Sequence, residues 1–303
     1  MALKLQIARK EKLLKLEEAA ALIPSRSTVA VGGLGLYGAP MAMVRELIRQ
    51  GIGDLSLVLP PGSSIAADLL IGTGSLREVL CSYIGFEDIG LAPNFRRAAE
   101  SGTLRIVDAD EAFVVCGLKA GAARSPFFVL PEGMSGYETA RVNPKYFCIL
   151  DPRTGKSHLC VPAINPDIAL IHAAQCDTYG NARHLGNCFT DLLMAKATTK
   201  RVIVSCDELI DVSETRKNPQ LTSIPGFLVD AVVHVPYGCH PLSSPGLYQR
   251  DDQHLQLYLE KCATESGLHE YLAEFVLGTD FAEYKSKIGG EKFELLSKGN
   301  GHA

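Results

Sequence analysis

Gly33, Gly35 and Gly38 form the run of this sequence that reads most directly as chemistry. They follow the apolar segment Thr28–Val31 and precede Pro40, a residue suited to the first turn of a helix. Without a Cβ, the backbone of such a bend can approach a bound group closely. The helix start beyond it offers unpaired N–H donors and a partial positive charge. A bend of this kind can cradle a phosphate or hold the oxyanion of a tetrahedral intermediate. The same glycines also suit a tight turn with no ligand.

Other polar residues stand where chemistry is conceivable. Ser63 and Ser64 follow Pro61 and Gly62 after a second apolar run, the position at which sheet crevices receive ligands. His240, between Cys239 and Pro241, either braces a proline-rich loop or hydrogen-bonds a substrate carboxylate. His172, flanked by Ile171 and Ala173, reads as a satisfied core histidine, and Asn181 after Gly180 as a turn residue. Arg96 and Arg97 fit a solvated helix face, or contacts with phosphates or a partner. Asp110 and Glu111 open a helix, where carboxylates complement the dipole by about 0.3–1 kcal/mol.

The spacing Gly33-x-Gly35-x-x-Gly38 also fits the dinucleotide fingerprint. That motif wants an acidic residue about 20 positions on, at the end of the second strand. Here the strand ends Leu59-Pro60-Pro61, and Pro40 enters the helix directly after Ala39. The sequence therefore argues against a nicotinamide cofactor.

A bend can only be positioned by the elements around it. The apolar spacing predicts a helix over 12–23, a strand at Thr28–Val31, a helix over 41–50 and a strand over 55–59. Next come a short helix over 65–71, a strand over 79–84, a helix over 94–100, a strand over 104–107 and a helix over 110–123. Residues 130–151 read as a loop or linker, broken by Pro131, Gly133, Gly136 and Pro144. Strands over 168–173, 201–205 and 229–235 follow, with a turn at 179–181, a helix over 191–198 and a helical C-terminal segment over 252–284. This alternation predicts an α/β fold, an open and largely parallel sheet flanked by helices, in one domain over 1–303.

Composition narrows the function classes. The 303 residues are 47% hydrophobic and 21% charged, as in a soluble globular protein. Thirty basic and 34 acidic side chains give a net charge of −4, so no general attraction to nucleic acid or anionic membrane is expected. The longest stretch free of Asp, Glu, Lys and Arg, 231–249, carries three prolines and is no membrane span. Glu11, Glu17 and Glu18 interrupt the N-terminal region, which argues against a signal peptide. Nine scattered cysteines without a C-x-x-C pair suit a reducing, cytoplasmic setting and small apolar packing roles, and no metal site is expected.

The wider run Gly32-Gly33-Leu34-Gly35-Leu36-Tyr37-Gly38-Ala39-Pro40 resembles the G-G-F-x-x-x-G-x-P signature of the alpha chains of family I coenzyme A transferases. Leu34 replaces the usual Phe, and Ser25-Arg26 depart from the Asp/Asn then Gly/Asn that the signature prefers. Four more blocks carry the likeness: residues 41–59, 116–127 ending in Pro126-Phe127, 161–173 with Gly180-Asn181, and 229–241 with Gly246-Leu247-Tyr248. The last of these is similar to the alpha subunit of glutaconate CoA-transferase.

The resemblance implies an acyl-CoA thioester as substrate, no resident cofactor, and a beta (B) partner subunit in an α2β2 or higher assembly. It implies that the glutamate attacking the thioester lies on that partner, while this chain lends part of the acyl pocket and the bend at Gly33, Gly35 and Gly38. Ser63, Ser64 and His240 are the further binding candidates. Glu111 looks aligned with a catalytic glutamate in the alpha subunit of a steroid ring-opening acyl-CoA hydrolase. There it would act as a general base, activating water to attack a ring ketone. Three readings follow: the alpha subunit of a CoA-transferase, that of a ring-opening hydrolase, and a non-catalytic scaffold whose partner does the chemistry.

Overall fold

The computed structural model describes residues 10–134 and 138–298. The chain runs through Leu13–Leu14 (β1), Leu16–Ala20 (α1), Thr28–Val31 (β2), Met41–Arg49 (α2), Leu55–Val58 (β3), Ile65–Gly72 (α3), Leu76–Cys81 (β4), Pro93–Ser101 (α4) and Arg105–Asp108 (β5). Glu111–Ala122 (α5) leads to Phe127–Val129 (β6), Thr139–Val142 (α6), Phe147–Leu150 (β7) and Ser157–Pro162 (β8). Ile168–Cys176 (β9), Ala182–Arg183 (β10), Asp191–Ala197 (α7), Arg201–Leu209 (β11), Val212–Lys217 (α8) and Ala231–His234 (β12) complete the sheet. Asp252–Cys262 (α9), Glu265–Leu272 (α10), Phe281–Ile288 (α11) and Gly290–Lys298 (α12) close the chain.

The principal sheet has the order β1-β12-β11-β9-β2-β3-β4-β5. Every neighbouring pair along it is parallel, and β10 alone folds back antiparallel on β9. Its strands are apolar on both sides because helices cover both faces. Val29 and Val31 of β2, with Ile168 and Leu170 of β9, pack beneath α2, α3 and the C-terminal helices. Ala30, Ala169 and Ile171 point the other way, into the layer built on α5 and α7.

From β2 the chain steps through β3 and β4 to β5, then returns to the opposite side of β2 as β9, β11 and β12. The order reverses between β2 and β9. In an open α/β sheet this is the topological switch point, and the carboxyl ends of those strands border the ligand crevice. β2 runs straight into the glycine bend.

Three expectations need correction. Only Leu16–Ala20 of the predicted 12–23 helix is helical. Lys12 pins the preceding segment as an edge strand: its Nζ donates to the Gly226 and Val229 carbonyls at 2.7 Å each. The fourth strand ends at Cys81, because Tyr83 turns away and its carbonyl accepts from the Ser63 amide at 3.1 Å. The expected loop over 130–151 contains α6 and β7. The latter joins β8 and β6 in a three-stranded antiparallel sheet ordered β6-β8-β7. Ser135, Gly136 and Tyr137 of that stretch lie outside the described residues. At the β7–β8 turn, Asp151 accepts from the Arg153 amide and the Thr154 hydroxyl, the turn chemistry its side chain favours.

The C-terminal helices start where their sequence directs. Asp251, Thr264 and Asp280 accept from the amides of His254, Gly267 and Glu283, caps worth about 0.5–2 kcal/mol each. Among the described residues no helix is long and apolar enough to cross a membrane.

Candidate functional site

The glycine bend needs the conformations only glycine adopts freely, with φ of +90° at Gly33, +54° at Gly35 and +71° at Gly38. It is fastened from several directions. The Gly33 amide donates to Asp191 Oδ1 at 3.0 Å, the Gly35 amide to the Gly62 carbonyl at 3.0 Å, and the Gly38 amide to the Ser243 carbonyl at 2.9 Å. Ser64 Oγ donates to the Gly35 carbonyl at 2.6 Å. All three glycine amides are thus spent inside the protein, and Ser64 is a buried brace of the bend. The Leu36 and Ala39 amides, in contrast, donate to no group among the described residues. They, rather than the glycines, are the bend's unpaired donors. Ser63 is buried next door, and its hydroxyl bonds no group among the described residues.

Asp191 reaches the bend as the first residue of α7, where a carboxylate suits the helix dipole. It packs so tightly that a Cβ on Gly32 would collide with its Oδ1. Across the crevice, a Cβ on Gly35 would collide with Glu87 Oε1. Tyr37 feels the charges of both acids. Burial first, then the charges of Asp191 and Glu87, push its hydroxyl pKa up and keep it protonated at neutral pH, against a lowering hydrogen bond with Asn187.

His184 approaches from the β10 side. Its Nδ1 lies 2.6 Å from Ser223 Oγ. Burial alone lowers the imidazole pKa, but Asp191 and Cys188 beside it outweigh burial and raise it to about 10. Gly33, Tyr37, His184, Asn187, Asp191 and Ser244 line one crevice. Sequence reading missed Glu87, His184 and Asp191. Asp191 lies 158 positions from Gly33, and only the sheet order brings the two together.

The remaining candidates fall elsewhere. Glu111 is the first residue of α5, exposed, and its side chain makes no hydrogen bond or ion pair among the described residues. Its neighbour Asp110 is the cap, accepting from the Phe113 amide at 2.7 Å. Glu111 follows β5, three strands from β2, so it shares the rim of the sheet about 14 Å away at normal strand spacing. Arg96 is exposed and pairs with Glu100, while Arg97 donates to the Cys262 carbonyl at the end of α9. Asn181 braces its own turn through Asp177 and the Gly226 amide.

His172 belongs to a buried Ser–His–Asp set that would suggest nucleophilic catalysis by composition. Its Nδ1 lies 2.8 Å from Ser205 Oγ and its Nε2 2.9 Å from Asp207 Oδ2. Ser205 is 0% exposed and cannot meet a substrate. Asp207 instead takes the Tyr237 and Gly238 amides and the Tyr248 hydroxyl. This set therefore fixes the 236–243 segment, which in turn accepts from the Gly38 amide through Ser243 and from the Ala42 amide through Gly238.

His240 is the clearest departure from a binding role, being 0% exposed. Tyr284 Oη lies 2.6 Å from its Nδ1, and its Nε2 lies 3.2 Å from Asp251 Oδ2. Arg45 donates to the same Tyr284 oxygen at 2.7 Å, so the network ties α2 to the C-terminal helices. Burial, reinforced by Arg45, lowers the pKa of His240, and burial lowers that of His254 further. Because both imidazoles hold protons less readily in the fold, the unfolded chain takes them up first as pH falls through about 6.5. Stability is therefore expected to fall as pH drops from 7 to 5, with a slope of at most about 1.4 kcal/mol per pH unit for each proton. Replacing His254 by Leu should make the slope shallower in denaturant titrations across that range.

An open parallel sheet with a glycine-bent switch point defines a class of ligand-binding α/β protein. The coenzyme A transferase profile matches residues 13–235, and the chain belongs to that family. It is 33% identical to the A-type subunit of 3-oxoadipate CoA-transferase from Pseudomonas knackmussii, over 93% of this chain and 99% of that one. It is 30% identical to the cholesterol ring-cleaving hydrolase IpdA subunit of Rhodococcus jostii, over 90% and 95%. A protein of Archaeoglobus fulgidus shares 36% identity over 93% of this chain, which spans only 63% of that longer protein. The crystal structure of glutaconate coenzyme A-transferase from Acidaminococcus fermentans superposes with a TM-score of 0.89 at 31% identity, covering 94% of this chain and 95% of its counterpart.

Proposed function

We propose that this chain is the alpha subunit of a heteromeric acyl-CoA transferase that moves coenzyme A between small or dicarboxylic acids. The observation that carries the reading is the fastened glycine bend at the switch point, whose Leu36 and Ala39 amides have no partner among the described residues. Support comes from relatives named as the A-type subunits of CoA-transferases, which match the chain over most of its length. Tyr83, Leu185 and Phe189 are exposed apolar side chains near the bend, a surface for the beta subunit.

In this chemistry a partner glutamate carboxylate attacks the thioester carbonyl, and coenzyme A leaves as thiolate with the C–S electron pair. The resulting mixed anhydride is attacked at its glutamyl carbonyl by that thiolate, releasing the donor acid and leaving a glutamyl–CoA thioester. An acceptor carboxylate then repeats the two steps in reverse. The thioester oxygen becomes an oxyanion at each attack. One backbone donor aimed at it contributes about 3–4 kcal/mol. The test is reconstitution: with an acyl-CoA and an acceptor acid, each of the two chains by itself should be silent, and the mixture active.

Glu111 supports the second reading, a ring-opening hydrolase, because it is an exposed carboxylate without a partner among the described residues. The Glu111→Gln complex should keep near-normal turnover as a transferase. Loss of a general base would cost about 10²–10⁴ in rate and favour the hydrolase.

A further inference from the structure

The segment after β10 brings three unlike ligating side chains to one point beside the glycine bend. One donor atom each from His184, Cys188 and Asp191 lies within 4.8 Å of the other two. The cluster alone would prove little, but His184 adds a separate observation. Its side chain is 9% exposed, and its Nε2 has no hydrogen-bond partner among the described residues. That atom comes to 3.3 Å of Asp191 Oδ2 without hydrogen-bonding geometry.

The tautomer follows from the surrounding bonds. Ser223 Oγ has one proton, which it donates to the Ala182 carbonyl at 3.1 Å. With that hydroxyl donating to Ala182, its contact with His184 Nδ1 runs from the imidazole N–H to the hydroxyl. Nε2 then faces the gap it shares with the Asp191 carboxylate and the Cys188 sulfur, free to ligate an ion in the neutral ring.

We propose that His184 Nε2, Cys188 Sγ and Asp191 Oδ2 bind a divalent transition metal, zinc by preference, with a fourth position open to the crevice. Thiolate, imidazole and carboxylate together suit zinc rather than magnesium or calcium. Tetrahedral zinc with Zn–N and Zn–O bonds of about 2.0–2.1 Å separates those two ligand atoms by roughly 3.3 Å. The observed separation is 3.3 Å.

Two ligands also carry the outer hydrogen bond that metal sites use to fix orientation. Nδ1 of His184 donates to Ser223, and Oδ1 of Asp191 accepts from the Gly33 amide, leaving Oδ2 for the ion. The metal would thus clamp the segment from 184 to 191 against the glycine bend. Sequence spacing gave no hint of it, because H-x3-C-x2-D matches no common zinc pattern and the ligands converge only in this turn.

The assembled complex of this chain with its beta subunit, stripped with a chelator and titrated with Co²⁺, tests the assignment. One equivalent per copy of this chain should give visible bands of tetrahedral intensity and a near-ultraviolet thiolate-to-cobalt band, both displaced by Zn²⁺. Cys188→Ser should lose the near-ultraviolet band. Ser223→Ala, which removes the outer bond while leaving all three ligands, should weaken Co²⁺ binding by about 10–100-fold. No thiolate band in the unaltered complex, the same band in Cys188→Ser, or unchanged affinity in Ser223→Ala would each overturn the site and assign a proton to Nε2. None of these readouts depends on the acyl substrate or on transferase activity.

Discussion

Gly33→Ala in the assembled complex should lose at least about 100-fold in turnover, the scale on which a 1 Å misplacement of a site acts. A Cβ at Gly33 would lie 2.5 Å from the Ala39 nitrogen, 2.7 Å from the Gly38 carbonyl carbon and 2.8 Å from the Ala39 Cα. All three are backbone atoms, so the bend itself must shift. The φ of +90° adds strain of about 1–3 kcal/mol for any residue with a side chain. The shift reaches the Ala39 amide directly, and that is one of the two unpaired donors. Gly35→Ala provides the contrast, because its Cβ meets only the end of the Glu87 side chain, which can swing aside. It should cost about 1–2 kcal/mol of stability and keep the bend in place. Steady-state turnover with matched circular dichroism separates the two variants; equal activity for both would mean that the bend positions nothing.

Asp207→Ala should lower stability by at least about 3 kcal/mol, because several buried polar groups lose their acceptor at about 1–3 kcal/mol each. Burial raises the Asp207 pKa, but His172 and the surrounding donors outweigh it, so the carboxyl is ionised and its pKa lowered. Its loss would strand the Tyr237 and Gly238 amides, the Tyr248 hydroxyl and one nitrogen of His172. Denaturant unfolding at neutral pH measures this. A change within about 1 kcal/mol, the net worth of one ordinary hydrogen bond, would mean that these donors find other partners. Activity should fall with stability, since the 236–243 segment holds Gly38.

The sequence was legible where local pattern and tertiary role coincide. The apolar run Thr28–Val31, the glycines after it and Pro40 describe a strand, a bend and a helix, and that is how they fold. The α/β layering could be read from alternating apolar runs for the same reason. Strand order could not, since it depends on which runs pair across the sheet. Asp191, His184 and Glu87 were therefore invisible as neighbours of the bend. The small β6-β8-β7 sheet escaped because Phe127–Val129 and Phe147–Leu150 are short, partly exposed and flanked by prolines and glycines. His240 shows the limit of reading a polar residue in a loop: its burial comes from Tyr284 and Asp251, which the local sequence does not announce.

The central claim is that this chain completes a transferase whose nucleophile belongs to another polypeptide. Intact-mass measurement of the beta subunit, once the complex has met an acyl-CoA without acceptor acid, tests it most directly. The account predicts a covalent adduct equal to coenzyme A less one water, on one glutamate of the beta subunit. Free coenzyme A or a ring-opened CoA product accumulating with no adduct on that polypeptide would contradict it.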